Sequence, residues 1–393
     1  MEEVENKKIG EVRSFPEGFL WGASTASFQV EGGISNNDWA EAARQGKAPL
    51  CGRACDHYSR FESDFDIAKD LGHNAHRFSI EWSRIEPEEG KFDEKEIEHY
   101  RAVLRALKAR GLTPFVTLWH FTQPMWFSER GGFLHAGAAQ VFARYCSFVV
   151  DRLGSEAEFW MTINEPQVFA GDGYLKGKFP PFARNLISYL RVLSALMKAH
   201  VAAYRAIKAT NSNVQVGIAT HNIDFDPAEN VLARYLAGFL DWFWNHRFLL
   251  KTKGCHDFIG LNHYFHHPIG KRAAKDAPRS DMGWEIHPES LYRLSVGLVR
   301  YNVPIYITES GLADSKDVHR ASYITGYVGA VHRAITDGAD VRGYLHWSLL
   351  DNYEWAEGFW PRFGLVAIDY ATLTRTVRAS ARVFETIARA NAL

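Results

Sequence analysis

Cysteine is scarce in this chain, with four in 393 residues. Cys51, Cys55, Cys146 and Cys255 show no paired zinc spacing, and Cys51 with Cys55 alone makes no redox motif, so reduced structural thiols and no metal site are expected. An excess of one charge is also missing. With 45 basic and 46 acidic residues the formal net charge is −1, which leaves no electrostatic footprint for nucleic acid or an anionic membrane. No apolar run looks long enough to cross a bilayer, and the opening MEEVENKKIG lacks the apolar centre of a signal peptide, so a cytoplasmic protein is expected. Linkers rich in Pro, Gly or Ser and low-complexity tracts are absent too, which points to a single domain over residues 1–393. What remains is 46% apolar and 14% aromatic, enough for a large core and a small-molecule partner.

Eight short segments rich in β-branched and aromatic residues recur between helical patterns. They are FLWGAST (19–25), AHRFSI (75–80), TPFVTLW (113–119), FWMTIN (159–164), VQVGIAT (214–220), DFIGLN (257–262), PIYITE (304–309) and VRGYLHW (341–347). In the helical pattern over 93–110, Tyr100, Val103, Leu104 and Leu107 fall at i, i+3, i+4 and i+7, and Gly111 marks its stop. Eight strand–helix units predict an α/β fold, a (β/α)8 TIM barrel.

Such barrels carry their chemistry at the C-terminal ends of the strands. The polar or aromatic residues there are Gln29, Arg77, His120, Asn164 with Glu165, Asn222, Tyr264, Glu309 and Trp347. Two glutamates end strands four and seven and can meet across the barrel mouth. In NEP, the strand aims Glu165 into the mouth and Pro166 cannot continue the ladder, so the chain turns out there. Two carboxylates on one pocket suit cleavage of a glycosidic bond, where one protonates the leaving oxygen and the other attacks or activates water.

TINEP (162–166) and YITESG (306–311) resemble the two catalytic signatures of glycoside hydrolase family 1, the β-glucosidase and β-galactosidase family. The stretches FLWGASTASFQVEG (19–32), HRFSIEWSRIEP (76–87), VTLWHFTQP (116–124), DFIGLNHY (257–264), DMGWEIHPESLY (281–292) and HWSLLDNYEWAEGF (346–359) agree in order, over nearly the whole chain. The resemblance implies a retaining hydrolase of terminal non-reducing β-D-glucosyl, galactosyl or fucosyl residues, without a cofactor. It implies Glu165 as acid/base and Glu309 as nucleophile, about 5–5.5 Å apart, with Arg77, Tyr264 and Asn164 supporting them. Gln29, His120, Asn164, Tyr264, Glu354 and Trp355 would contact the sugar, Trp347 would be its stacking floor, and Phe363 would line the pocket.

Some features depart from the family pattern. Ser310 and His263 replace a common Asn and Tyr, and the chain is shorter between Asn245 and Asp257 and between Gly311 and Ser322, which implies a wider aglycone side. Trp360 is a weak candidate for a sugar contact, and His246, His256, His266 and His267 read as packing or surface residues rather than ligands. Three rivals remain. A sugar-binding barrel would have lost a carboxylate, a plant-type thioglucosidase would lack the acid at 165, and a 6-phospho-β-glycosidase would need a site for phosphate where this chain has the carboxylate Glu354.

Overall fold

The computed structural model describes residues 12–272 and 274–393. Eight parallel strands close into a barrel: β1 (Leu20–Ser24), β2 (Ala75–Ser79), β3 (Thr113–Thr117), β4 (Phe159–Asn164), β5 (Gln215–His221), β6 (Phe258–Asn262), β7 (Ile305–Ser310) and β8 (Val341–Trp347), which pairs back onto β1. The sequence-predicted segments are all strands, with ends moved by no more than two residues.

A long helix follows each strand: α1 (His57–Asp70), α2 (Glu94–Ala109), α3 (Ala138–Leu153), α4 (Leu186–Thr210), α5 (Val231–Asp241), α6 (Pro288–Leu298), α7 (Arg320–Thr336) and α8 (Ala379–Ala390). In α2, Asp93 caps the first turn by accepting from the Lys95 amide, and Tyr100, Val103, Leu104 and Leu107 are buried against the strands. Each such burial contributes roughly 1.5–3 kcal/mol. Gly111, at φ +72°, takes the left-handed turn that ends the helix. Helix α5 runs through one π turn, Trp242–His246, into Arg247–Lys251, so the single helix expected between strands five and six is present. Against the sequence reading, α4 is long and apolar enough by composition to cross a membrane. Its helical periodicity hides this, because one stripe packs along α3 as part of the barrel wall. The cysteines are all free, and three of them are buried.

Side chains alternate between two cores. Ala75, Phe115, Met161, Ala219, Phe258, Tyr306 and Leu345 fill the barrel interior, and the residues between them pack outward on the helices. One step up on the inward face come Arg77 on β2, Thr117 on β3 and Thr308 on β7. On β6 the same face reads Phe258, Gly260, Asn262, and a Cβ at Gly260 would lie 2.7 Å from Thr308 Oγ1. The apolar plug therefore forms a floor under a polar layer.

The two strands that carry the glutamates are irregular. The pairing of β4 with β5 slips between Met161 and Asn164, and the pairing of β7 slips on both sides, against Leu261/Asn262 and Tyr344/His346. Strict alternation from Tyr306 would send residue 309 out to the helices. The extra residue lets Thr308 and Glu309 both face inward, while Ser310 turns out to bond Tyr323 of α7.

Candidate active site

Glu165 follows β4 at φ +44° and caps a short helix, Pro166–Ala170, with Pro166 at its first position. This left-handed conformation is costly for a residue with a Cβ and is held by the Glu165 amide donating to Ala219 O at 2.8 Å. The turn expected from NEP is thus present. Glu165 is buried, and its Oε1 accepts from Asn262 Nδ2 at 2.7 Å. The Asn262 amide is itself oriented by Thr308 Oγ1, which donates to its oxygen at 2.6 Å. Burial, and then the charge of Glu309, push the Glu165 carboxyl well above the usual range.

Glu309 has the opposite surroundings. One oxygen accepts from Arg77 Nη1, and the other accepts from the Tyr264 hydroxyl at 2.6 Å. Arg77 is 1% exposed, and its fork is committed in every direction: Nε donates to Thr117 Oγ1 at 3.0 Å and Nη2 to Asn164 Oδ1 at 2.6 Å. Burial and the neighbouring Glu309 charge hold the Tyr264 hydroxyl protonated, so it acts as a donor. One carboxyl thus faces an amide in a buried setting that favours its neutral form, and the other faces a guanidinium. Environments of this kind separate the roles of two acids.

A cavity of about 310 Å³ opens above the pair. Gln29, His120, Asn164, Glu165, Tyr264, Glu309, Trp347, Glu354, Trp355 and Phe363 all line it. Arg77 lies beneath, reached only through its partners. The pocket's polar groups have capacity to spare. Both protons of Gln29 Nε2 are used, on Asn352 Oδ1 and Tyr353 O, so its Oε1 is left as an acceptor with no partner in the protein. Burial and Arg77 keep His120 neutral. Its Nε2 faces the Asn164 amide nitrogen at 3.2 Å, which assigns the proton to Nδ1, a buried donor without a protein partner. Glu354 Oε2 is likewise unpaired. Trp347 and Trp355 lie nearly parallel to His120, at 20° and 14°.

Several expectations need correction. Burial, and then the charge of Glu309, raise Glu354 to about 8, so it is largely neutral at pH 7 and the repulsion of phosphate expected there is present only at higher pH. Asn222 is buried outside the cavity, where its carbonyl meets His263 Nδ1 at 3.0 Å. The residue of β5 that does reach the cavity is His221, one position earlier, because the strand ends one residue later than its apolar run. Trp360 is 50% exposed and does not line the cavity. His246 packs against Tyr301, and His263 bridges to Ser290. His266 lies near Asp224 and His287, with ligand atoms within 4.8 Å of one another. However, its ring stacks on His287 at 4.2 Å and 9°, so no cation can lie in both ring planes, and Arg293 already holds Asp224.

Sequence reasoning missed Asn262, His221, Ile223, Trp244 and Trp284. Asn262 was detectable as the inward partner two steps beyond Gly260. Trp244 sits on the π turn, which no composition signal announces.

The family model for glycosyl hydrolase family 1 matches residues 11–252 and 245–393. β-Glucosidase A of Thermotoga maritima is 33% identical over 97% of this chain and 99% of its own length, in an alignment of 445 positions, so it carries residues this chain lacks. A β-galactosidase of Saccharolobus solfataricus is 32% identical over 97% of this chain and 96% of its own. Among solved structures, a β-glycosidase from Pyrococcus horikoshii superimposes with a TM-score of 0.92 at 37% identity, covering 98% of this chain and 96% of that one. The Thermotoga maritima β-glucosidase in complex with glucoimidazole gives 0.91 at 32% identity, covering 97% and 100%. A closed barrel with paired glutamates at its mouth and end-to-end matches of this quality make the chain a member of glycosyl hydrolase family 1, a β-glycosidase.

Proposed function

We propose that the protein is a retaining β-glycosidase of terminal non-reducing β-D-glucosyl residues, with Glu165 as acid/base and Glu309 as nucleophile. The observation that carries this reading is the asymmetry of the pair: Glu165 is buried against an amide and raised, while Glu309 is tied to Arg77 and Tyr264. In the first step Glu309 attacks the anomeric carbon as Glu165 protonates the departing oxygen. Once Glu309 is esterified its charge is gone, the Glu165 pKa falls, and Glu165 takes the proton of the incoming water. Gln29 Oε1, His120 Nδ1 and Glu354 supply an acceptor and donors for sugar hydroxyls, and Trp347 offers an aromatic face to the pyranose. Glucose is favoured as the glycone because several of the most similar relatives are named β-glucosidases.

The test is a panel of nitrophenyl β-glycosides with proton NMR of the first sugar formed. The β-anomer of glucose, and a higher kcat/KM for the glucoside than for the galactoside and fucoside, are expected. An α-anomer appearing first would reject retention. The pH profile should show activity falling as pH rises through a limb lying above the ordinary glutamate range, because Glu165 must start protonated.

Glu354 gives a separate expectation. The preference for a β-glucoside over its 6-phosphate should widen as pH rises through about 8, where Glu354 ionises. A ratio that stays flat from pH 6.5 to 9 would remove Glu354 from the hydroxyl site.

A further inference from the structure

The surface beside the barrel mouth departs from the rest of the molecule. Of seventeen large apolar side chains exposed among the described residues, eleven fall between Leu175 and Leu250. On α5, Leu232, Tyr235, Leu236, Phe239 and Trp242 recur at helical spacing and are 78%, 76%, 47%, 57% and 45% exposed, while Ala233 and Ala237 bury the opposite face. The first turn of α4 continues the patch with Leu186, Ile187 and Leu190, and the two helices are joined through Tyr189 and Phe243, 6.4 Å apart. Together they expose on the order of 900 Å² of apolar surface, more than the few hundred a soluble monomer usually leaves open.

The charge around this patch is mostly positive, although two of its lysines are paired, Lys176 with Asp172 and Lys208 with Asp257. Residues 172–253 carry eleven Lys and Arg against five Asp and Glu, a surplus of six in a chain whose net charge is −1. Four of the five acids are already engaged: Asp172 by Lys176, Asp224 by Arg293, Asp226 by Lys271 and Asp241 by His246. Arg191, Lys198, Arg205 and Lys251 line a groove of about 700 Å³ that begins where the α4 apolar turn ends, and no acidic side chain lines it. Arg247 lies over the Phe243 ring at 5.2 Å, which brings cation and apolar face together.

We propose that this face docks on an anionic lipid surface, with the α5 and α4 side chains entering the acyl boundary and the basic groove meeting headgroup phosphates. An amphipathic face with aromatic and leucine side chains beside unpaired cations is the chemistry that holds a protein in a membrane interface, and each cation near the surface adds about 1 kcal/mol. A second copy fits less well, since a two-fold contact would set this basic surplus against itself. Trp244 lies next to the patch and also lines the catalytic cavity, so docking would bring the mouth to the lipid boundary. The even overall charge, which suggested no membrane partner, conceals this local surplus.

The test is co-sedimentation of the full chain with vesicles of phosphatidylglycerol and phosphatidylcholine (1:1) and of phosphatidylcholine alone. At least tenfold tighter binding to the mixed vesicles is expected, weakened about tenfold by R191E/K251E, by L232S/Y235S/F239S, and by high salt. In both variants kcat/KM on soluble nitrophenyl β-glucoside should stay within twofold of the parent, which keeps loss of docking distinct from misfolding. Equal or absent sedimentation with the two vesicle types would overturn the proposal. So would a concentration-dependent dimer in light scattering that L232S/Y235S/F239S abolishes, which would assign the face to a second copy.

Discussion

Replacing Glu309 with alanine is expected to remove turnover of every β-glycoside, by on the order of 10⁴-fold or more, because it deletes the one mouth carboxylate held by both Arg77 and Tyr264. Glu165→Ala should behave differently. With a dinitrophenyl leaving group the departing oxygen needs no proton, so the first step should run close to the parent rate and the glycosyl-enzyme should accumulate. Azide, small and anionic, should then enter the space of the lost side chain and restore the second step, giving a β-glycosyl azide. The structure predicts this split because Glu165 is buried and accepts only from the Asn262 amide, while Glu309 alone has a fixed cation. Equal losses in both variants, with no rescue by azide, would mean the roles are reversed or shared.

Arg77→Met carries the second large effect. Arg77 joins three elements of the site at once, through Thr117 on β3, Asn164 on β4 and Glu309 on β7, and it is almost wholly buried. Removing Arg77 leaves the buried Glu309 carboxylate without its counter-charge and with only the Tyr264 hydroxyl, which costs about 3–5 kcal/mol of stability. It also leaves Asn164 Oδ1 held only by Asn262 Nδ2, at 3.2 Å, which loosens the amide whose nitrogen faces His120. We expect kcat to fall by at least about 10³ while KM changes little, since the lost charge acts on the reacting carboxylate rather than on sugar hydroxyls. Arg77→Lys restores charge but not the fork, and should recover stability better than activity. Urea unfolding read alongside steady-state kinetics checks both effects. A stable Arg77→Met enzyme within tenfold of parent activity would show that Arg77 is only packing.

The fold was legible because each strand announces itself with β-branched and aromatic residues, and each helix with an apolar stripe and a stop such as Gly111. The site was legible where sequence neighbours carry the signal, as in Asn164-Glu165-Pro166. It was less so where geometry intervenes. Simple alternation puts residue 309 on the wrong face of β7, and only the slip in pairing turns it inward. The apolar run points to Asn222 rather than His221, because such a run marks burial and not the last ladder bond. The protonation of Glu354 could not be read from a motif, since it depends on burial and on a charge 45 residues upstream. Net charge hid the basic sector beside α5, because a sum over the chain discards position.

We propose that Glu309 carries the sugar. The most direct measurement is peptide mass spectrometry after the enzyme is quenched during turnover of a dinitrophenyl 2-deoxy-2-fluoro-β-glucoside, whose fluorine slows both steps while its good leaving group speeds only the first, so that a glycosyl-enzyme accumulates. We predict a single fluoroglucosyl adduct, carried by the β7 peptide and located on Glu309. An adduct on Glu165 or on any other side chain, or an enzyme that turns the compound over with α-fluoroglucose as its first product and no adduct, would contradict the account.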